Sequence, residues 1–107
     1  MDAKTQARYE ARAKIIKAMA HPARLFIVDE LSKNGERCVC DLTEMIGTDM
    51  STVSRHLAQL KDAGIVDVEK RGQMVFYSLR VKCILSFFDC VESVIKCNAQ
   101  SQQELLA

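Results

Sequence analysis

The stretch DMSTVSRHLAQLKDAGIV, residues 49–66, carries the pattern of an amphipathic helix together with signals for its start and its end. Asp49 can accept hydrogen bonds from the unpaired backbone N–H groups of a first helical turn, and Gly64 favours the end of a helix. Between them, apolar residues recur at helical spacing and form one stripe: Val53, Leu57, Leu60 and Ala63. The stretch therefore predicts an amphipathic helix, and a β-like pattern begins after it at Ile65.

The opposite face of the predicted helix is polar. It carries hydroxyl, amide, cationic and imidazole side chains: Ser51, Thr52, Ser54, Arg55, His56 and Gln59. Such side chains can bind phosphates and base edges in the major groove of DNA. A solvated helix face would have a similar composition, but a short helix over Cys40–Ile46 and a turn at Gly47 precede this one. Together they predict a helix-turn-helix unit whose second helix reads double-stranded DNA.

Two further helices are predicted before this unit. Small and apolar residues at helical spacing indicate one helix from Thr5 to about Ala20. Pro22 suits the first turn of the next helix, because the N–H that proline lacks would be unpaired there. We expect His21 to cap this second helix and Asn34-Gly35 to end it.

A β-hairpin and a last helix are predicted after the unit. Residues alternate between apolar and polar over Ile65–Leu79, on both sides of a turn at Gly72. The last helix is expected from Val81 to about Gln100, with residues 101–107 fraying. The tip of the hairpin is basic and polar, and could reach the DNA backbone or minor groove through Lys70, Arg71 and Gln73.

This order of elements (α-α-α-α-β-β-α) is that of a winged helix-turn-helix, mainly α with a β-hairpin as the wing. The 107 residues are enough for a single domain with a modest core, so we expect residues 1–107 to form one unit. Such a small domain would gain stability from dimerisation.

The charge distribution and the hydropathy of the chain argue for some classes of protein and against others. The net charge is only +1, but residues 1–24 carry six Lys/Arg against two acids, and residues 65–82 carry four against two. Basic segments of this kind permit contact with DNA. No apolar run is long enough to cross a bilayer and the N-terminus lacks a signal-peptide pattern, so a cytoplasmic protein without a membrane partner is expected. No nucleophile–base pair, phosphate-binding glycine loop or carboxylate pair has a supporting context, which argues against an enzyme.

The sequence resembles the ArsR/SmtB family of metal-responsive repressors. Nearly the whole chain takes part, through AHPARL (20–25), CVCDL (38–42), STVSRHL (51–57), LKDAGIV (60–66), RG (71–72) and VFYSL (75–79). The resemblance implies a homodimer, joined through its first and last helices, that blocks a promoter until an inducer weakens its grip on operator DNA. It also implies that the segment 38–42 is an inducer motif, as in members that respond to arsenite or to cadmium and lead.

Cys38 and Cys40 are therefore the first candidate ligands. Two thiolates one residue apart can hold a soft ion if the backbone bends between them. The arsenite pattern continues with a third cysteine, but this chain has Thr43 there. The cadmium pattern uses further cysteines from the N-terminus, and residues 1–37 contain none.

Three further cysteines lie on the predicted last helix and could complete the site: Cys83, Cys90 and Cys97. Their spacing of seven places them in one seam with Phe87 and Val94, where they could equally serve as small hydrophobic residues between two copies of the helix. A spacing of seven is ~10 Å along a helix axis, so one ion could use them only across a dimer or with another element. An adjacent stripe is expected to pack on the core: Ile84, Phe88, Val91 and Ile95.

The sequence thus favours a repressor released from DNA by As(III) or Sb(III), without an organic cofactor. Cd(II) or Pb(II) bound by the same residues is the near alternative. A thiol or persulfide redox switch on the same fold is a second alternative, since five cysteines in a reducing compartment suit redox sensing as well as metal binding. A helical module that binds protein rather than DNA is the alternative from another class.

Overall fold

The computed structural model describes residues 1–106. It confirms the predicted winged helix-turn-helix, with one short strand that was not predicted. Ala107, part of the predicted fraying tail, lies outside the described residues. The elements in chain order are α1 (Ala3–Met19), α2 (Pro22–Asn34), β1 (Arg37–Cys38), α3 (Val39–Ile46), α4 (Met50–Asp62), β2 (Val66–Arg71), β3 (Met74–Leu79) and α5 (Ile84–Leu106).

The sheet has three antiparallel strands in the order β1-β3-β2. The hairpin runs in register from Val66 opposite Leu79 to Arg71 opposite Met74. Strand β1 is only two residues long, and it pairs Cys38 with Phe76. No periodicity can be read from two residues, which is why the sequence did not predict this strand. Its consequence is that the cysteine segment is hydrogen-bonded to the wing.

The core lies beneath α4 and holds that helix in place. The apolar stripe predicted for α4 is confirmed for Val53, Leu57 and Leu60, which are completely buried. They pack with buried residues of α2 and α3, among them Ile27, Val28, Leu31 and Leu42. Burying one such aliphatic side chain contributes about 1.5–3 kcal/mol, so this cluster is the main support of the helix-turn-helix unit.

The helix ends follow the local signals in the sequence. The Asp49 carboxylate accepts a hydrogen bond from the Thr52 N–H at 3.0 Å, which confirms the predicted cap of α4. His21 Nδ1 accepts one from the Ala23 N–H at 3.0 Å, and Pro22 is the first residue of α2, as predicted. At the end of α3, Gly47 adopts φ of +79°, a left-handed conformation that favours glycine.

The last helix differs from its prediction in three ways. It begins at Ile84 rather than Val81, and it continues through residues 101–106, which were expected to fray. The glutamine, glutamate and leucine residues of that segment are good helix formers, which accounts for the longer helix. Of the stripe expected to pack on the core, Ile84 and Phe88 do so, whereas Val91 and Ile95 are 43% and 54% exposed. Within residues 1–106, no helix is both long and apolar enough to cross a membrane.

Candidate DNA-binding surface and cysteine site

The exposed face of α4 carries most of the residues predicted to contact DNA. Ser54, Arg55 and Gln59 are exposed on it. Ser51 and the half-buried Thr52 also lie at its start, but their hydroxyls both donate hydrogen bonds to the Asp49 carboxylate. These bonds, that of Ser51 first, hold the pKa of Asp49 far below its usual range. The first turn is thus ordered by its own side chains, and the role of these residues in DNA binding stays a prediction.

His56 does not lie on this face, which corrects the expectation for it. It is only 9% exposed, because it follows Val53 by three residues and precedes Leu60 by four, on the edge of the buried stripe. Its Nδ1 accepts a hydrogen bond from Arg24 Nε at 3.1 Å, and its ring centroid lies 4.4 Å from that of His21. Burial, and then the charges of His21, Arg24 and Arg55, lower the pKa of His56. A neutral His56 therefore fastens α4 to α2.

The wing is less basic than its sequence suggested. Lys70 and Gln73 are exposed, and their contact with DNA stays a prediction. Arg71, however, binds both carboxylate oxygens of Glu36, at 2.6 and 2.9 Å, and one of Glu69 at 2.9 Å. These hydrogen bonds raise the pKa of Arg71 and lower that of Glu69. The sequence pointed to neither carboxylate as a partner of Arg71.

The cysteine pair sits where β1 becomes α3. Cys38 is extended (φ −78°, ψ 160°) and Val39 begins the helix, so the chain bends between the two cysteines as a shared ligand would require. Their Cα atoms are 5.3 Å apart and their sulfur atoms are joined in a disulfide, which corrects the expectation of two thiols. Cys38 is buried and its Sγ accepts a hydrogen bond from the Asp41 N–H at 3.3 Å, whereas Cys40 is exposed.

Asp41 joins this pair. The two sulfur atoms and a carboxylate oxygen of Asp41 lie within 4.8 Å of one another, and across residues 1–106 no other three His, Cys, Asp or Glu side chains are gathered in this way. The sequence pattern did not point to Asp41 as a ligand. The available signal was its place directly after the second cysteine, which puts its side chain in the first turn of α3.

The cysteines near and on α5 are separate from this cluster. Cys83 precedes the helix, Cys90 and Cys97 lie on it, and all three are exposed thiols. In the described part of a single chain, none of them comes within the distance that defines the cluster of Cys38, Cys40 and Asp41. A ligand set drawn from one chain alone therefore does not include them.

Comparisons with known sequences agree with this fold. The family model described as "Bacterial regulatory protein, arsR family" matches residues 21–68. A regulator of Methanocaldococcus jannaschii, "Uncharacterized HTH-type transcriptional regulator MJ1325", is 41% identical over 85 residues, 77% of this chain and 96% of that protein. A CadC homolog from Staphylococcus aureus, a cadmium resistance regulatory protein, is 43% identical over 63% of this chain and 55% of its own. The arsenical resistance operon repressor of Bacillus subtilis is 40% identical over 67% of this chain and 66% of its own.

Solved structures give the same result. The homodimeric winged helix-turn-helix DNA-binding domain Mb0332 of Mycobacterium bovis matches with a TM-score of 0.77 and 27% identity, over 94% of this chain and 93% of that one. The AntR antimony-specific transcriptional repressor matches with a TM-score of 0.76 and 26% identity, over 94% of this chain and 90% of its own. These proteins are transcription regulators, not enzymes. The chain therefore belongs to the ArsR family of bacterial regulatory proteins.

Proposed function

We propose that this protein is a homodimeric repressor that leaves its double-stranded operator when a thiophilic ion binds Cys38 and Cys40. As(III) or Sb(III) is the first candidate inducer. The observation that carries the proposal is the cluster of two sulfur atoms and one carboxylate at the first turn of α3. That helix directly precedes α4, the helix proposed to read DNA.

The donor set fits a soft ion once the disulfide is reduced. Two thiolates favour thiophilic ions, and the Asp41 carboxylate adds an oxygen donor that Cd(II) or Pb(II) could use. An all-thiolate site for As(III) or Sb(III) needs a third sulfur, which one of the three exposed cysteines of a second copy could supply: Cys83, Cys90 or Cys97. The arsenical, antimony and cadmium regulators among the similar proteins support this class of inducer.

Ligand binding at this place would act on the DNA-reading helix through α3. The Cys38 sulfur caps α3 by accepting the Asp41 N–H, so a sulfur drawn toward an ion would give up or reorient that hydrogen bond. Leu42, one residue further on, is completely buried in the core cluster that also holds α4. A shift of the first turn of α3 would therefore be transmitted to α4 by packing.

A dimer is supported by the uncovered apolar surface of α5. Phe87, Val91, Val94 and Ile95 are between 43% and 59% exposed, and Phe87, Val91 and Ile95 also line a groove of about 420 Å³ between α5 and α2. Exposed apolar side chains that lie together on one helix are typical of an interface with another protein chain. A second copy of α5 placed on it would also bring the cysteine seam of each chain to the interface.

A thiol switch at the same pair is the second candidate, and the disulfide between Cys38 and Cys40 favours it. Oxidation of the two thiols forms one S–S bond and releases two electrons and two protons, which a peroxide accepts to give water. The disulfide would hold the bend of the chain between Cys38 and Cys40 in place, as an ion bound by both sulfur atoms would. In this reading the inducer is an oxidant or a polysulfide rather than an ion.

The test is a DNA-binding titration by fluorescence anisotropy, on an imperfect palindrome from the promoter region of the gene itself. Arsenite, antimonite, cadmium and lead are added separately to reduced protein, and peroxide and polysulfide to protein freed of reductant. Release by arsenite that is lost in Cys38→Ser but retained in a Cys97→Ser control supports the ion-responsive repressor and excludes Cys97 as a required ligand. Release by peroxide or polysulfide alone would replace it with the thiol switch. A failure of the reduced protein to bind DNA would contradict both the ion-responsive repressor and the thiol switch.

A further inference from the structure

The tip of the wing holds an ion-pair arrangement in which two acids face one base. The Arg71 guanidinium donates from both terminal nitrogens to Glu36, at 2.6 and 2.9 Å, in a bidentate fork. The second of these nitrogens also donates to Glu69 at 2.9 Å. The sequence predicted that Arg71 contacts DNA, but in the structure its guanidinium is already bound by two carboxylates.

Both members of the Glu36–Arg71 pair are held in place by the sheet. Glu36 directly precedes β1, whose residues pair with β3 in antiparallel register. Arg71 ends β2, and its guanidinium lies 4.7 Å from the ring centroid of Phe76 on β3. Phe76 is in turn the Cα partner of Cys38. The pair is therefore preorganised by strand pairing and by a cation–π contact rather than by chance proximity of two mobile side chains.

The pair is also exposed enough to exchange. The side chains of Arg71 and Glu36 are 45% and 42% exposed, and solvent-exposed ion pairs contribute little to stability because water screens them. A guanidinium binds phosphate in the same bidentate geometry as it binds carboxylate. A DNA phosphate that reaches the wing can thus take the place of Glu36, but it must first approach two carboxylates that repel it.

We propose that Glu36 is a positioning residue that withholds Arg71 from DNA. In the free protein, the guanidinium is bound to Glu36, and in the operator complex it moves to a backbone phosphate. Lys70 is then the cation that the wing presents at first encounter, and Arg71 joins only after the carboxylate has been displaced. This inference rests on the proposed DNA-binding function, and it concerns how strongly the wing contributes to affinity.

The experiment compares wild type, Glu36→Gln, Arg71→Gln and the double variant by anisotropy over a series of salt concentrations. Glu36→Gln removes the charge but keeps the shape, and should bind DNA several-fold more tightly than wild type. A plot of log K against log salt concentration falls, and each phosphate neutralised makes the fall steeper by about 0.9. Glu36→Gln keeps the guanidinium that Arg71→Gln lacks, so its plot should be steeper by about 0.9. Glu104→Gln, in the last turns of α5, gives the same change in net charge and should bind as wild type does.

The double variant separates Arg71 from a general effect of charge. If Glu36 acts through Arg71, then Glu36→Gln should change nothing in the Arg71→Gln background. A gain in DNA affinity that persists in that background would overturn the proposal. The carboxylate would then be acting on Lys70 or on the electrostatic field of the whole protein. Unchanged or weaker binding by Glu36→Gln, with an unchanged thermal midpoint, would also overturn it. A wild-type protein that binds no DNA would refute the proposed function, and this inference with it.

Discussion

Arg24 donates a hydrogen bond from Nε to Nδ1 of His56 over 3.1 Å, and so joins α2 to the helix proposed to read DNA. The same guanidinium donates from Nη1 to the backbone carbonyl of Ala18 at 3.2 Å. One side chain thus connects the end of α1, the first turn of α2 and the middle of α4. The orientation of the polar face of α4 depends on this connection.

His56→Ala should therefore destabilise the protein and weaken DNA binding together. The variant removes the acceptor of the Arg24 hydrogen bond and leaves a cavity next to Val53 and Leu60. We expect the free energy of unfolding to fall by about 1–3 kcal/mol. Urea unfolding measures the first effect and an anisotropy titration the second. Ser54→Ala, on the exposed face of the same helix, is the control for stability. Full stability in His56→Ala would show that this hydrogen bond does not support α4.

The stability should also depend on pH through His56. Its pKa is lowered in the folded state from an ordinary value of 6.5, so the unfolded chain binds the proton first as the pH falls. The stabilisation is complete above pH 6.5 and is lost as the pH drops below it toward the folded pKa. Protonation would also remove the lone pair that Arg24 needs. Unfolding free energies at pH 7.5 and pH 5.5 should differ more in wild type than in His56→Gln; equal differences would contradict this.

Gly72→Ala should weaken the wing through its backbone alone. Gly72 has φ of +62° at the first position of the two-residue turn between Arg71 and Met74, as a type II′ turn requires. A Cβ there would meet no atom within 4 Å, so the cost of about 1 kcal/mol is conformational strain. Gly72→Asn should cost less, because asparagine tolerates positive φ. Urea unfolding of the two variants measures the difference, and a Gly72→Ala variant as stable as wild type would contradict backbone strain at this position.

Arg55→Ala should lower DNA affinity while the fold and the proposed dimer remain intact. Arg55 is exposed in the middle of α4, and a lost base or phosphate contact there should cost about 1–3 kcal/mol, a factor of about 5–150 in affinity. Lys61→Ala removes the same charge from the last turn of α4 and should have a smaller effect. Sedimentation and thermal midpoints check that both variants are folded dimers. Equal losses of DNA affinity in the two variants would indicate that Arg55 acts through its charge alone rather than through a specific contact.

Asp41→Asn should distinguish between the candidate ions. The carboxylate lies within 4.8 Å of both sulfur atoms, and its charge would favour a divalent cation more than a trivalent metalloid bound by thiolates. The variant should weaken cadmium binding to the reduced protein and leave arsenite binding close to that of wild type. Glu44→Gln, also on α3, controls for charge. Cadmium affinity equal to wild type would remove Asp41 from the ligand set.

Local signals along the chain predict the order and type of nearly all elements. Caps at His21 and Asp49, the proline at the start of α2 and the turn at Gly72 act within a single helical turn or hairpin. The apolar stripe of α4 likewise repeats over a few residues. Such signals are local in the chain, so they can be read without knowing what packs against them.

The side chains that remain available to a ligand depend on contacts between distant parts of the chain. His56 was expected on the DNA-facing side of α4, yet it lies at the edge of the buried stripe, where Arg24, 32 residues earlier, provides its hydrogen-bond partner. Arg71 looked like an exposed cation, yet it is bound by Glu36, 35 residues away. Strand β1 exists because β3 is there to pair with it. These contacts join segments far apart in the chain, and packing of the whole domain selects them, which no local pattern can encode.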